Sequence, residues 1–546
     1  MNAFEQIYTA FVHYLTQKDI PTDIINIMQF EPNADEQKQQ FGDINCNIAM
    51  ICAQKLKQNP RTVAQDIVSN FTHPMIERIE IAGPGFLNFF MTPKWFAQLA
   101  QEISTQKDVF FKTTLKNFSK INIEFVSANP TGPMHVGHGR NGILGDVLGN
   151  VLTFLGNDVT KEFYINDAGA QIQKLGTSLK IRCLQQLEQT VSLPEDAYHG
   201  SYLVDVAKQC VTEFGKNLEH EPDQFFQTYA KEKMLQQLQQ TLQDYGIMFN
   251  VWFSEKTLHD HRKVTAAIER LKQSGNTFEL DGALWFSSTK FGDDKDRVLK
   301  KANGELTYVA ADVAYLIDKI ERGFEKIIMI LGHDHHSYKI RLEAIMQALG
   351  YDVSRLHVIL YQLVHIIKDG QPVKMSKRTG DMVTLEEVVQ EVGKNIARFF
   401  FLNRKADAEL QFDINLALKQ SNENPMFYIQ YALVRTISIQ HKLKELNIST
   451  QPKLHEISEP LEKLLLKKIC SLKILIANIA QHHQIHLLAY NTYELASLFH
   501  QYYNAQRIID AQNVPQTEHR LYMVNVVQQS IKTSLFLMGI TPMEKM

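Results

Sequence analysis

Two histidines three residues apart, His135 and His138, stand in the run PTGPMHVGHGR at 130–140. At the start of a helix, side chains at this spacing reach the same point. Both imidazoles can then donate hydrogen bonds to one phosphate and to the charge that grows on it as it is attacked. Gly137 between them has no side chain, so a flat base such as adenine can lie against the backbone. A helix start adds free N–H groups and the positive end of a dipole. Taken alone, a His-x-Gly-His turn is more often a surface turn. A second run, VKMSKRTG at 373–380, sets Lys374 and Lys377 three apart on a loop that ends in glycine. Two such cations can neutralise a departing pyrophosphate; alone, the run reads as a solvated basic loop. A third run, GHDHH at 332–336, closes a strand-like stretch. Gly332 lets a ribose approach, and Asp334 can accept its hydroxyl protons. A metal site built from His333, His335 and His336 is the rival. Adjacent residues rarely converge on one ion, and no carboxylate or cysteine cluster completes the set.

These groups need a scaffold that brings loop ends together. INIEFV at 121–126 is a strand candidate, followed by an Asn-Pro-Thr-Gly-Pro turn and then by Leu144, Val147, Leu148, Val151, Leu152 and Leu155 on one helix face. Gly156 and Asn157 stop that helix, and VTKEFYI at 159–165 is the next strand. The alternation returns with KIIMIL at 326–331, a helix across 337–349, and HVILYQLV at 357–364. Strand–helix–strand at this spacing implies a parallel nucleotide-binding sheet of the Rossmann type. A Gln- and Lys-rich helical stretch, roughly 170–270, reads as an insertion.

The expected fold is therefore multidomain α/β. Residues 1–118 form an α+β domain, with a helix marked by Phe4, Ile7, Tyr8, Phe11 and Leu15 and two strands around Gly83-Pro84-Gly85. Residues 119–420 form the Rossmann-like catalytic domain, and residues 421–546 an all-helical domain. The chain of 546 residues is long enough for three cores. A formal net charge of -3 gives no global sign of a polyanionic partner, although phosphates respond to local patches. The five cysteines, Cys46, Cys52, Cys183, Cys210 and Cys470, contain no C-x-x-C pair, so neither a structural zinc site nor a disulfide framework is expected. The start, MNAFEQIYTAFVHYL, lacks the basic and apolar regions of a signal peptide, and no apolar run reaches membrane-helix length. A cytoplasmic enzyme, working as a monomer without membrane or DNA, is the expectation.

Together the two signatures match those of class I aminoacyl-tRNA synthetases, and the chain resembles arginyl-tRNA synthetases along nearly its whole length. The resemblance rests on IEFVSANPTGPMHVGHGR at 123–140, the block 294–324, NPMFYIQYALVRTISI at 424–439 and the chain end LFLMGITPMEKM. GDINCNIAM and IAGPGFLNF resemble the family's amino-terminal tRNA-binding domain. The block and the chain end are the most specific. The resemblance implies that ATP, with its Mg2+, L-arginine and tRNA(Arg) are the substrates. It places His135, His138, Lys374 and Lys377 in catalysis. It sets Gly137, Gly332, Asp334, Met375 and Ser376 at ATP. Glu124, Ser127, Asn129, Tyr308, Asp312 and His333 fall at arginine, and Asn88, Tyr431, Tyr503 and Met546 at tRNA. A guanidinium needs a carboxylate to pair with and a flat group to stack on, and Asp312 and Tyr308, four apart on one helical segment, supply both. Lys463, Lys467, Lys468 and Lys473 form a candidate basic helix for phosphates. Two positions depart from the class pattern: Val136 replaces isoleucine, and Arg378 replaces serine. Rival readings are another class I specificity, a catalytically dead tRNA-binding paralogue, and a small nucleotidyltransferase. The block and chain end oppose the first, the intact His and Lys pairs the second, and the length and helical carboxy-terminal region the third.

Overall fold

Ile121, Asn122, Ile123 and Glu124 are all buried, so this strand has no solvent-facing side. That is the condition of a central strand in a parallel sheet. In the computed structural model, which describes residues 2–112, 118–167, 169–373, 383–446 and 450–546, it is the middle strand of five. Lys120–Glu124 pairs on one side with Lys326–Gly332, which pairs with Leu356–Tyr361. On the other side it pairs with Asp158–Ile165, which pairs with Val251–Ser254, and every pairing is parallel. The chain moves outward in one direction, then returns and moves outward in the other. The reversal lies between Lys120–Glu124 and Lys326–Gly332, where such sheets open a ligand crevice at the carboxyl ends of their strands.

The helical insertion is shorter than the sequence reading made it. Three helices, Ala170–Gln186, Ser201–Phe214 and Asp223–Asp244, share a core of their own around Leu179, Leu203 and Phe226. Val251–Ser254 then rejoins the sheet as its edge strand, inside the stretch read as insertion. An antiparallel sheet of Thr277–Leu280, Ala283–Phe286 and Arg297–Lys300 follows. The apolar run 357–364, read as one strand, is two. Leu356–Tyr361 stays in the parallel sheet, and Val364–Lys368 pairs instead with Leu410–Asp413 and Gln371–Pro372.

Helix Val136–Phe154 is buried along nearly all its length, not only on the leucine face. The opposite face carries Gly139, Gly142 and Gly145, three apart, and Gly149 one turn on. A Cβ at Gly142 would lie 2.6 Å from Ile247, one at Gly139 2.5 Å from Leu385, and one at Gly145 would strike the Phe125 ring. The helix therefore approaches the strand end at Phe125, Ile247 and helix Leu385–Val392 more closely than side chains permit.

The chain falls into two units: Leu115–Leu418, just described, and Met1–Thr114 with Lys419–Met546. In the latter, an Asn2/Glu5 capping box starts the helix Ala3–Gln17. Its Phe11 packs on Phe30, Phe71 and Phe89 beside a four-stranded antiparallel sheet. The turn at 83–85 joins Ile76–Ala82 to Phe86–Met91, as the sequence implies. Four long helices, Pro425–Glu445, Pro460–His482, His486–Ala505 and Val514–Leu537, make up the carboxy-terminal part.

The expected phosphate-following helix is not a solvated one. Lys467 is 1% exposed, with Nζ 2.9 Å from Asp43. Lys468 pairs with Glu494, and Lys473 lies 2.8 Å from Glu5 and donates to the carbonyls of Phe110 and Lys112 at 2.8 and 3.0 Å. Lys463 lies over the Phe96 ring. The helix is covered by the amino-terminal part, and a buried ammonium must take protein acceptors in place of water. Among the described residues no helix is long and apolar enough to cross a membrane.

The glycine face yields a direct stability test. Gly145→Ala should cost about 1–3 kcal/mol through overpacking against Phe125, read as a lower urea midpoint with an unchanged slope. A wild-type midpoint would show that the helix and strand have room to spare.

Candidate active site

The central strand ends at Glu124, and the backbone beyond it is strained. Val126 and Ser127 have φ of 65° and 44°, a region that β-branched residues in particular avoid. Side chains from neighbouring elements hold them there. Asn141, on the Gly-rich helix, accepts from Val126 N at 2.9 Å and donates to the Ile330 carbonyl at 3.0 Å, clamping the ends of two strands across the crevice. Ser127 Oγ accepts from Tyr164 N at 3.1 Å and donates to Glu124 Oε1 at 3.4 Å. Strain of this kind gathers at functional sites, where the surroundings over-determine it. Beyond it, the turn is braced by the insertion: Tyr202 donates to the Thr131 carbonyl at 2.7 Å, and Asn129 donates to Gln171 at 3.0 Å.

The turn delivers His135 as the N-cap of helix Val136–Phe154. Its Nδ1 accepts from Gly137 N at 3.1 Å. A backbone N–H can only donate, so Nδ1 carries no proton and Nε2 does. His138 stacks on it, with ring centroids 3.7 Å apart and planes at 23°. A Cβ at Gly137 would lie 2.8 Å from His135 Cε1, so glycine is needed for this turn. The segment that follows the second signature returns here. Leu385 N donates to the Met134 carbonyl at 2.8 Å, Thr384 bridges to His135, and a Thr384/Glu387 capping box starts the next helix. The second signature's Lys374, Met375, Ser376 and Lys377 lie outside the described residues.

On the other side of the crevice, Gly332 ends its strand, and the exposed Asp334 folds back so that a Cβ at Gly332 would lie 2.5 Å from Asp334 Oδ1. His333 is exposed on the short turn His333–His335. Among the described residues no group of three His, Cys, Asp or Glu has metal-holding geometry.

The carboxylates form two sets. Glu124, Glu162 and Asp318 are buried and faced by Lys319, Arg322 and Lys263. Lys319 Nζ, fully buried, sits 3.0 Å from both Glu124 and Glu162. Against the cost of burial, Lys319, Arg322 and the Tyr315 hydroxyl hold Glu162 at a pKa of about 2. Three acids thus meet three bases. Asp312, on helix Tyr308–Glu321, is not balanced in this way. Its Oδ1 accepts from Tyr338 Oη at 2.7 Å, and Arg341 stands 3.8 Å from Oδ2. Oδ2 is buried and accepts no hydrogen bond among the described residues. Burial raises the Asp312 pKa, Tyr338 and Arg341 pull it down, Glu255 and Glu124 push it up, and the balance lies at about 7. Burial also raises the pKa of Glu255. Tyr308, one turn before Asp312, is 65% exposed at the helix start. Tyr338, Arg341, Glu255 and Asn141 went unread in the sequence. The i, i+3 spacing of Tyr338 and Arg341 on the expected 337–349 helix was the available signal.

The candidate tRNA residues lie in the other unit. The guanidinium of Arg435 stands over the rings of Tyr431 and Tyr503, at 4.3 and 4.7 Å, and donates to Tyr431 Oη at 2.9 Å. Both tyrosines are half-buried, and Met546 is half-exposed. Asn88 is buried, with its side-chain oxygen 2.8 Å from Asn45 Nδ2.

Three family models match the chain: tRNA synthetases class I (R), catalytic domain, over 99–414; the DALR anticodon binding domain over 429–546; and the arginyl tRNA synthetase N terminal domain over 10–91. An arginine–tRNA ligase of Oceanobacillus iheyensis is 41% identical over 99% of this chain and 98% of its own. One of Moorella thermoacetica is 42% identical over 92% of each. The fold is also that of Thermus thermophilus arginyl-tRNA synthetase, with a TM-score of 0.78 over 99% of this chain and all of that one, at 20% identity. The coverage is nearly complete and spans catalytic, amino-terminal and anticodon-binding parts, so the chain belongs to the arginyl-tRNA synthetases of class I.

Proposed function

We propose that this chain ligates L-arginine to the 3' end of tRNA(Arg), with Asp312 reading the guanidinium. The observation that carries this reading is the buried Asp312 Oδ2, an acceptor without a hydrogen bond among the described residues, in a crevice where Glu124 and Glu162 are matched by Lys319 and Arg322. A guanidinium supplies the missing donor and brings a positive charge into direct contact with the carboxylate. Tyr308 offers a ring one turn away. Glu124, Ser127 and Asn129, on the strand end and strained turn, would orient the amino acid's other end.

In the first step the arginine carboxylate attacks the α-phosphate of ATP, which arrives with Mg2+ held by its own phosphates. The His135 tautomer fixed by Gly137 presents Nε2–H, and His138 is stacked beside it, so the two can donate to the charge that builds on the phosphate. Gly137 leaves room for adenine, while Gly332 and Asp334 face the ribose. Lys374 and Lys377 would neutralise the leaving pyrophosphate. In the second step a ribose hydroxyl of the terminal adenosine attacks the adenylate carbonyl and releases AMP. Positioning and charge stabilisation suffice for both steps. Tyr431, Tyr503 and Met546 are the anticodon-side candidates, and Asn88 is the candidate in the amino-terminal part, where its burial limits it to indirect support. The working unit is taken to be a cytoplasmic monomer.

Four measurements test this reading. His138→Ala should lower the turnover of arginylation by about 10²–10³-fold, with an unchanged melting temperature; near-normal turnover would remove it from catalysis. Asp312→Asn should weaken arginine binding by about 2–5 kcal/mol and leave the KM for ATP in place. The same carboxylate sets a pH dependence. Its pKa of about 7 in the free site means that below this pH it is protonated, and a proton then competes with the guanidinium. The KM for arginine in the wild type should rise about tenfold per unit as pH falls below that point and level off above it; a flat profile from about pH 6 to 8 would show that Asp312 does not bind the cation. Finally, Tyr503→Ala should raise the KM for tRNA through lost stacking of about 1–3 kcal/mol while arginine and ATP constants stay put. An unchanged tRNA constant would leave Tyr503 a packing residue.

A further inference from the structure

Asp312 is approached by charged and titratable groups from several elements. Helix His336–Ala348 brings Tyr338 and Arg341, three residues apart and so on one face. Their contacts with the carboxylate differ. Tyr338 makes a hydrogen bond to Oδ1 at 2.7 Å, whereas Arg341 Nη1 stops 3.8 Å from Oδ2, beyond hydrogen-bond reach. The Arg341 Nε is itself buried without a hydrogen bond among the described residues, and its guanidinium lies 5.5 Å from the Tyr338 ring centre. From the remaining sides come Glu255, Glu124 and Tyr164. Both acids oppose ionisation of Asp312. Glu124 is already paired with Lys319, and Glu255 is faced by His259 at 3.8 Å. Among the described residues, Arg341 is the cation that stands nearest to Asp312.

The geometry points to Tyr338 and Arg341 as a positioning pair for the arginine subsite: Tyr338 aims the Asp312 carboxylate by occupying Oδ1, and Arg341 keeps it ionised from a distance that leaves Oδ2 open to the substrate. This rests on the reading of Asp312 as the guanidinium receptor. Neither residue touches the substrate. An arginine 1 Å closer would bond Oδ2 itself and block the subsite, while a neutral residue in its place would let burial and the neighbouring acids protonate the carboxylate. The direction of each influence on the Asp312 pKa agrees: Tyr338 and Arg341 lower it, and Glu255 and Glu124 raise it. The pair thereby sets the lower pH limit of arginine recognition.

The test is the pH profile of the KM for arginine in tRNA arginylation, for wild type, Arg341→Met, Arg341→Lys, Tyr338→Phe and Asp312→Asn. Removing a cation beside a carboxylate raises its pKa by about one to three units, so Arg341→Met should move the rise in KM upward by that much, to on the order of tenfold at about pH 7.5, and the defect should shrink as pH increases. Arg341→Lys should keep the profile near the wild-type position. Tyr338→Phe, which loses only a hydroxyl and should fold normally, should move it upward as well, with little change in kcat. A merely structural role would lower activity at every pH without moving the midpoint. Profiles of Arg341→Met and Tyr338→Phe that coincide with wild type, while Asp312→Asn raises the KM for arginine, would overturn the positioning roles and leave the subsite assignment standing. An Asp312→Asn enzyme with a normal KM for arginine would overturn the subsite and this proposal with it. If Arg341→Met fails to fold, Tyr338→Phe and Arg341→Lys decide the matter.

Discussion

Lys319 is a fully buried cation with Glu124 and Glu162 3.0 Å away on either side. A buried ion pair is a poor source of net stability, but removing one partner strands the others, typically at about 3–5 kcal/mol. Its significance here is the geometry it enforces. Glu124 and Glu162 are register partners on adjacent strands, and Lys319 comes from helix Tyr308–Glu321, which also carries Asp312. The ammonium therefore fixes that helix against the sheet, and Asp312, two turns earlier, inherits its position. It also neutralises Glu124. The local surplus of negative charge is thus carried by Asp312 and Glu255, and a cationic side chain has one defined place to go.

How much of this could be read in advance depends on how local each cause is. The turn at 129–133, the helix after it and the stop at Gly156 are written in Gly, Pro and apolar spacing, and the structure has them where expected. The two histidines announce themselves because their chemistry and their helix start lie in the same few residues. The run 357–364 misleads because its apolar character continues while the chain changes sheets. Arg140 captures the Gln362 carbonyl at 2.7 Å, and Leu363 is left 64% exposed. Such a break is set by a residue more than two hundred positions away. Val251–Ser254 is only four residues long, too short for an alternation that would set it apart from the helical stretch before it. The lysines of helix Pro460–His482 read as a basic face for phosphates because nothing nearby in sequence says that Asp43 and Glu5 cover them. Asp312 emerged through family resemblance, whereas Tyr338 and Arg341 gain their meaning only when one helix is seen against another.

Asn141 shows how the two halves of the crevice are made one mechanical piece. Strain at Val126 and Ser127 costs on the order of 1–3 kcal/mol per residue and persists only if the surroundings insist on it. The group that insists on it for Val126 belongs to the helix whose N-cap is His135. The glycine face of that helix is pressed against Phe125, Ile247 and Leu385, so it cannot slide to relieve the strain without opening a void. Asn141 also holds the Ile330 carbonyl on the strand that ends in Gly332. The strained turn that carries Ser127, the imidazole pair and the Gly332 edge are therefore positioned by one side chain. A shift of any of them must break a buried hydrogen bond of Asn141, which leaves an unsatisfied polar group at a cost of about 1–3 kcal/mol. Rigidity of this kind is what a site needs when it works by holding two substrates in line and contributes no covalent chemistry of its own.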